Sequence, residues 1–328
     1  MVDSEGGWEF KRGLDDDFMA KLKDLAEQGG WFSDVLADTD IFLGIRNNTL
    51  DAYWHGCRLF HVTRKGKAGP LKVATHPKYL IDPGLGGEIV LTDINFGLGE
   101  HAAFIESYEG TTTLARMKRA AKLYALPEKD GVHSIISRNP RNPNVIDLEI
   151  AFRQQNQNSE LDDESKLRKI DIASLEEAQD EIHLRFWEAK CYANQELFAA
   201  DGDAKVVGQI EGYRQLLKLH WKQVCESYTN IAVNLVEFSR WTKANRKVGC
   251  LTEKVAQGQR LSDGEPIVGL VIFDFDDDQR KGERFRNHIT QKLSTRIRPL
   301  IPRGNASNIQ LIVREGTQPA EHLILVKA

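Results

Sequence analysis

The chain has 328 residues, 41% hydrophobic and 28% charged, which suits one large or two modest globular domains and excludes a disordered polymer. Its formal charge of −4 is an argument against a protein that coats nucleic acid, while a local basic groove on a neutral-to-acidic body remains compatible with it. No apolar run approaches the ~20 residues that span a membrane, residues 1–13 lack a hydrophobic signal region, and Cys57, Cys191, Cys225 and Cys250 form no C-x-x-C pair, so the expectation is a cytoplasmic chain without a zinc or disulfide framework.

Residues 14–28 carry an amphipathic helical pattern closed by Gly29 and Gly30. Residues 41–62 predict a hairpin with Asn47 and Asn48 at its turn. A charged loop at 64–67 and a Gly-rich stretch at 83–99 follow. The expected organisation is therefore an N-terminal α+β region over 1–100 and a second domain over 101–328. A helix over 111–125 carries a basic run, Arg116, Lys118, Arg119 and Lys122, and 137–144 is an Asn- and Pro-rich loop.

Residues 145–152 alternate strictly, with Ile146, Leu148, Ile150 and Phe152 on one face and Asp147, Glu149 and Ala151 on the other. A polar, acidic hairpin loop over 154–166 leads to two further strands, 168–174 and 182–192. Residues 206–242 predict a helix or a broken pair of helices, and 268–275 a buried strand. A charged helix to about 298 holds a second basic set, Arg280, Lys281, Arg284 and Arg286, and strands at 309–314 and 322–326 end the chain. Asp274, Asp276, Asp277 and Asp278 read as a strand end followed by a helix N-cap, because consecutive carboxylates point in different directions.

The chemistry concentrates on the two middle strands. Glu188 falls seventeen residues after Asp171, and Glu188 and Lys190 are two apart, so the pleat turns both to one sheet face, roughly 7 Å apart at the backbone. Hard oxygen ligands suit Mg²⁺ or Mn²⁺, which bind through one or two carboxylates, waters and substrate phosphate oxygens. Downstream, Gln209 and Tyr213 are spaced i, i+4 and share a helix face.

Asp171, Glu188-Ala189-Lys190 and Gln209-x-x-x-Tyr213, in that order, resemble the motifs of the PD-(D/E)XK nuclease superfamily, in its RecB-like and Cas4-like branch. The likeness covers roughly residues 100 to 280 in organisation and fewer than ten positions in motif. It implies an α/β fold: a restriction-endonuclease-like core, a mixed central sheet flanked by helices, here with an N-terminal α+β extension. It also implies a Mg²⁺- or Mn²⁺-dependent nuclease acting on DNA. Asp171, Glu188 and the Ala189 carbonyl would hold the metal, Lys190 would orient the attacking water or stabilise the developing charge, and Gln209 and Tyr213 would position the site.

Glu149, beside the hairpin, is a candidate further metal ligand, and Glu106 a weaker one. Arg116, Lys118, Arg119 and Lys122 are the candidate nucleic-acid contacts. A restriction, repair or anti-phage role fits such a protein, a homodimer would supply two sites for double-strand cutting, and any ATP-driven step would come from a partner protein. The competing readings are a catalytically silent nucleic-acid-binding or sensor module and, more simply, an Asp171–Lys190 ion pair on a solvated sheet face. No His pair has metalloprotease spacing, no Gly-rich stretch has a phosphate-loop setting, and no Ser-centred nucleophile elbow occurs.

Overall fold

The computed structural model describes residues 8–66, 68–80, 89–92, 95–97, 108–136, 144–154, 169–178, 180–241, 244, 246–293, 296, 309–313 and 323–325. In chain order the elements begin with β1 (Trp8–Glu9), α1 (Asp16–Gln28), α2 (Trp31–Ala37), β2 (Phe42–Arg46), β3 (Thr49–Trp54), β4 (Cys57–Arg64) and β5 (Leu71–Thr75). β6 (Ile89–Thr92), β7 (Asn95–Gly97), α3 (Thr111–Lys122), α4 (Pro127–Ile136), β8 (Val145–Ala151) and β9 (Arg153–Gln154) follow. The remainder is β10 (Lys169–Ala178), β11 (Glu181–Cys191), α5 (Lys205–Leu219), α6 (Trp221–Arg240), α7 (Cys250–Ala256), β12 (Ile267–Phe275), α8 (Asp277–Lys281), β13 (Ile309–Val313) and β14 (Leu323–Leu325). The class is α/β, with two six-stranded sheets and a two-stranded β1–β9 ribbon among the described residues.

Two compact units divide the chain, each drawn from separated stretches of sequence. The first comprises Met1–Phe10, Val145–Glu226 and Arg260–Ala328, and the second Lys11–Asn144 and Ser227–Gln259. The second unit thus runs past residue 100 and also takes in most of α6 and all of α7.

In the second unit, β2 to β7 form an antiparallel meander in sequence order. Asn48, at φ 47°, makes the β2–β3 turn in the left-handed region that Asn tolerates better than most residues. α1 starts where the Asp15 side chain accepts from the Phe18 N–H at 2.9 Å, with Asp16 and Asp17 in its first turn favouring the positive end of the helix dipole. Phe18, Leu22 and Ala26, spaced i, i+4, i+8, are buried. Trp31 of α2 packs on Phe60 of β4 with ring centroids 4.8 Å apart, and Phe32 meets Phe238 of α6 edge to face.

In the first unit the sheet order is β14-β13-β12-β11-β10-β8. β8, β10 and β11 form an antiparallel meander, while β12 runs parallel to β11 and β13 parallel to β12. A parallel neighbour requires a crossover. Here the chain leaves β11, passes through α5, α6 and α7, and returns as β12. β12 is buried at seven successive positions, Ile267 to Phe273, as expected of a strand covered on both faces.

The predicted helix-or-broken-pair over 206–242 is a broken pair, interrupted at His220. The charged helix expected after β12 is shorter than the pattern suggested: α8 ends at Gly282, and a π-helical stretch, Phe285–Leu293, follows. Asp276 caps α8 in a reciprocal capping box with Gln279, as the N-cap reading of the acidic run anticipated.

Candidate active site

The register of the meander assembles the site. Ile172 pairs with Trp187, so the next position along the β10–β11 ladder sets Asp171 across from Glu188. On the other side Ile170 pairs with Ile150 and Ile172 with Leu148, which sets Glu149 across from Asp171. The register thus brings Asp171 and Glu188 opposite each other on neighbouring strands, and the charge of Glu149 on the third strand also acts on Asp171. Asp171 Oδ2 accepts from the Ala189 N–H at 2.7 Å.

α5 carries the two polar groups that lean on this pair. Gln209 Nε2 donates to Glu188 Oε1 at 2.8 Å and to the Tyr213 hydroxyl at 2.9 Å, and that hydroxyl donates to the Lys169 carbonyl at the start of β10. Residues spaced i, i+4 thus link α5 to both central strands. Tyr213 is buried, and loss of hydration, then the charge of Glu188, pushes its phenol well above the usual value, so it stays a proton donor.

Lys190 is only 7% exposed and Glu188 only 3%. The solvated cross-strand pair between Asp171 and Lys190 is not what forms. Lys190 Nζ lies 2.8 Å from Glu188 Oε1 and 3.0 Å from Glu196 Oε2. Glu196 sits on the 3₁₀ turn Gln195–Leu197, which Asn194 caps by accepting from the Glu196 N–H at 2.9 Å. Glu196 also pairs with Lys205, the first residue of α5. The hydrogen bonds from Lys205 and then Lys190 hold the Glu196 carboxyl below the usual range. Glu196 is a site residue that no motif announced.

Asp171 has the opposite environment. Loss of hydration, followed by the charge of Glu188 and, more weakly, of Glu149, raises its carboxyl well above the usual range, against the Ala189 N–H and the charge of Lys190. Among the described residues no group of three or more His, Cys, Asp or Glu gathers closely enough to hold a metal ion. Two carboxylates whose charges repel each other therefore stand at the centre of the site, with Glu149 a weaker third contributor to that repulsion.

The strict alternation expected over 145–152 breaks down. Glu149 has φ 51°, in the left-handed region that costs a non-glycine residue energy, and the β8–β10 pairing shifts register at Ala173 and Ser174. Asp147, expected on the same outward face, is fully buried, and its Oδ1 accepts from the Leu148 N–H at 2.8 Å.

The expected nucleic-acid residues fall on α3, in the other unit. Arg116, Arg119 and Lys122 are exposed. Lys118 is half-buried, 2.9 Å from Asp38 and 3.4 Å from Asp40, with its ammonium over the Trp54 ring. In the first unit the Arg284 guanidinium stacks 3.7 Å from the centre of the Phe198 ring, just beyond the Glu196 turn, and Lys281 and Arg286 are exposed. Glu106, the Arg280 side chain and the loop at 155–168 lie outside the described residues. Among the described residues no helix is long and apolar enough to cross a membrane. No family model, curated protein or solved structure matches the chain.

Proposed function

We propose that this chain is a metal-dependent nuclease that hydrolyses phosphodiester bonds in DNA. The observation that carries the reading is the facing pair Asp171 and Glu188 with Lys190 anchored beside it and the Gln209–Tyr213 clamp resting on it. An antiparallel meander followed by a helical crossover to a parallel strand is also the topology that the PD-(D/E)XK resemblance implies, which supports the reading by analogy.

Asp171 and Glu188, with the Ala189 carbonyl, would hold Mg²⁺ or Mn²⁺, and Glu149 adds negative field behind them. When bound, such an ion lowers the pKa of a coordinated water and polarises the scissile phosphate. Lys190 presents an amine beside the same carboxylate, where it orients the attacking water and offsets the charge that builds on the phosphorane. As water adds to phosphorus it gives up a proton to solvent, the bond from phosphorus to the sugar oxygen breaks, and the departing oxygen takes up a proton from solvent to leave as a hydroxyl. Gln209 keeps Glu188 from rotating away, and Tyr213 ties Gln209 to β10. Restriction, repair or defence against phage are the settings that such an activity serves.

Purified protein is incubated with linear, circular and single-stranded DNA and with RNA, in Mg²⁺, Mn²⁺ or EDTA, beside Lys190→Ala. Metal-dependent cutting of DNA that Lys190→Ala loses is the expected result. Cutting that Lys190→Ala retains would show that the site is elsewhere, and stable binding of nucleic acid without cutting would favour a silent recognition module.

A further inference from the structure

We infer that Glu196 is a positioning residue that keeps the Lys190 ammonium at the reacting atoms when Glu188 turns its charge to a metal ion; this rests on the nuclease reading. One amine is shared by two carboxylates, at 2.8 Å from Glu188 and 3.0 Å from Glu196. The two acceptors differ in what else they serve. Glu188 stands opposite Asp171, and the oxygen that meets Lys190 also accepts from Gln209. Glu196 stands outside that pair, on a turn whose backbone is capped by Asn194, and its other oxygen is tied to Lys205.

Positive charge added at Glu188 repels the ammonium next to it. A lysine has a flexible four-carbon stem, so a second carboxylate beside it helps hold in place an amine repelled from its first partner. Glu196 is built as that second partner: it is half-buried and pinned through both its backbone N–H and its second oxygen. It touches neither of the facing carboxylates in any bond seen here. Its action on the reaction therefore runs through Lys190.

The test uses the full chain and two readouts. The first is the ammonium NMR signal of Lys190 in ¹⁵N-lysine protein, assigned by its loss in Lys190→Ala and followed as Mg²⁺ is added. It should persist in the native chain and broaden beyond detection in Glu196→Gln once Mg²⁺ saturates. The second is cleavage, where Glu196→Gln should lower kcat by about tenfold or more while KM for DNA and the Mg²⁺ half-saturation stay within about twofold, with partial recovery in Glu196→Asp. If Glu196→Gln does not fold, Glu196→Asp carries the same test with a smaller loss of kcat.

A Lys190 signal in the variant as sharp as in the native chain at saturating Mg²⁺, or an unchanged kcat, would overturn the inference and leave the nuclease reading intact. A native chain that cuts nothing would overturn the nuclease reading instead, and the ammonium signal would still decide whether Glu196 holds Lys190.

Discussion

Asp51 and Asp171 are both acids on interior strands of antiparallel pairings, one in each unit, and their neighbours are opposite in sign. Asp51, on β3, accepts from His61 Nδ1 at 2.6 Å and from the Tyr53 hydroxyl at 3.1 Å, with Arg58 at 3.8 Å. Burial pushes its carboxyl up, but the His61 bond and the charges of Arg46, His61 and Arg58 outweigh that and leave it below the usual range. Asp171 meets two further carboxylates and ends well above that range. A charge placed for stability is matched by the fold. A charge left facing its own kind lacks that match, and perturbed carboxylates of this second sort gather at functional sites.

The contrast breaks most severely at Lys190, the cation paired with Glu188. Lys190→Ala should cost cleavage about 10²–10⁴-fold, with circular dichroism showing a folded chain; near-native cutting would remove Lys190 from the chemistry. Next in size is Asp51→Ala, which strands His61 and the arginines and should destabilise the second unit by about 3 kcal/mol in urea. A change under ~1 kcal/mol would mean that the Asp51 cluster is not held together by charge.

Asp171→Asn should act with the opposite sign. It removes a repelled charge, so without metal at pH 8 the variant should be the more stable by on the order of 1 kcal/mol, while losing cleavage. The pH dependence sharpens this. A carboxyl raised in the fold favours the protonated form, so the contribution of Asp171 is full below its unfolded value and is lost as pH rises through its raised one. The advantage of the Asn variant should shrink on acidification and vanish near pH 4. Asp51 behaves inversely: its contribution is present above the usual carboxylate value and is lost as pH falls through its lowered one. Parallel pH–stability curves for Asp171→Asn and the native chain would show that Asp171 is not strained by its neighbours.

The smallest expected effects separate two residues on α3. Arg116→Ala should reduce the salt slope of DNA binding by about 0.9. Lys118→Ala should leave the slope unchanged, since Asp38 and Asp40 already hold that ammonium, and should cost roughly 0–1 kcal/mol of stability. A lowered slope in Lys118→Ala would mean that the ion pair opens to receive phosphate.

Local spacing made much of the site legible. Glu188 and Lys190 share a face because strand residues two apart must, and Gln209 and Tyr213 share one because helix residues four apart must. The Asn47-Asn48 turn, the Gly29 helix stop and the Asp276 cap follow from backbone preferences of single residues. Each of these rests on contacts within a few residues, so the sequence by itself determined them.

Tertiary structure decided the partners. Lys190 pairs with Glu196 rather than Asp171 because a 3₁₀ turn six residues on folds back beside β11, a placement that no periodicity encodes. Asp147 is buried and Glu149 adopts a left-handed backbone because strand pairing, not the period-2 pattern, sets their surroundings. Arg185, in a run that reads as strand, is 2% exposed and meets Glu176 at 2.8 Å on the neighbouring strand. Residues 227–259 join the second unit although both flanking stretches belong to the first. Burial and long-range pairing depend on what the rest of the chain packs against each residue, and a sequence pattern carries only what a residue offers.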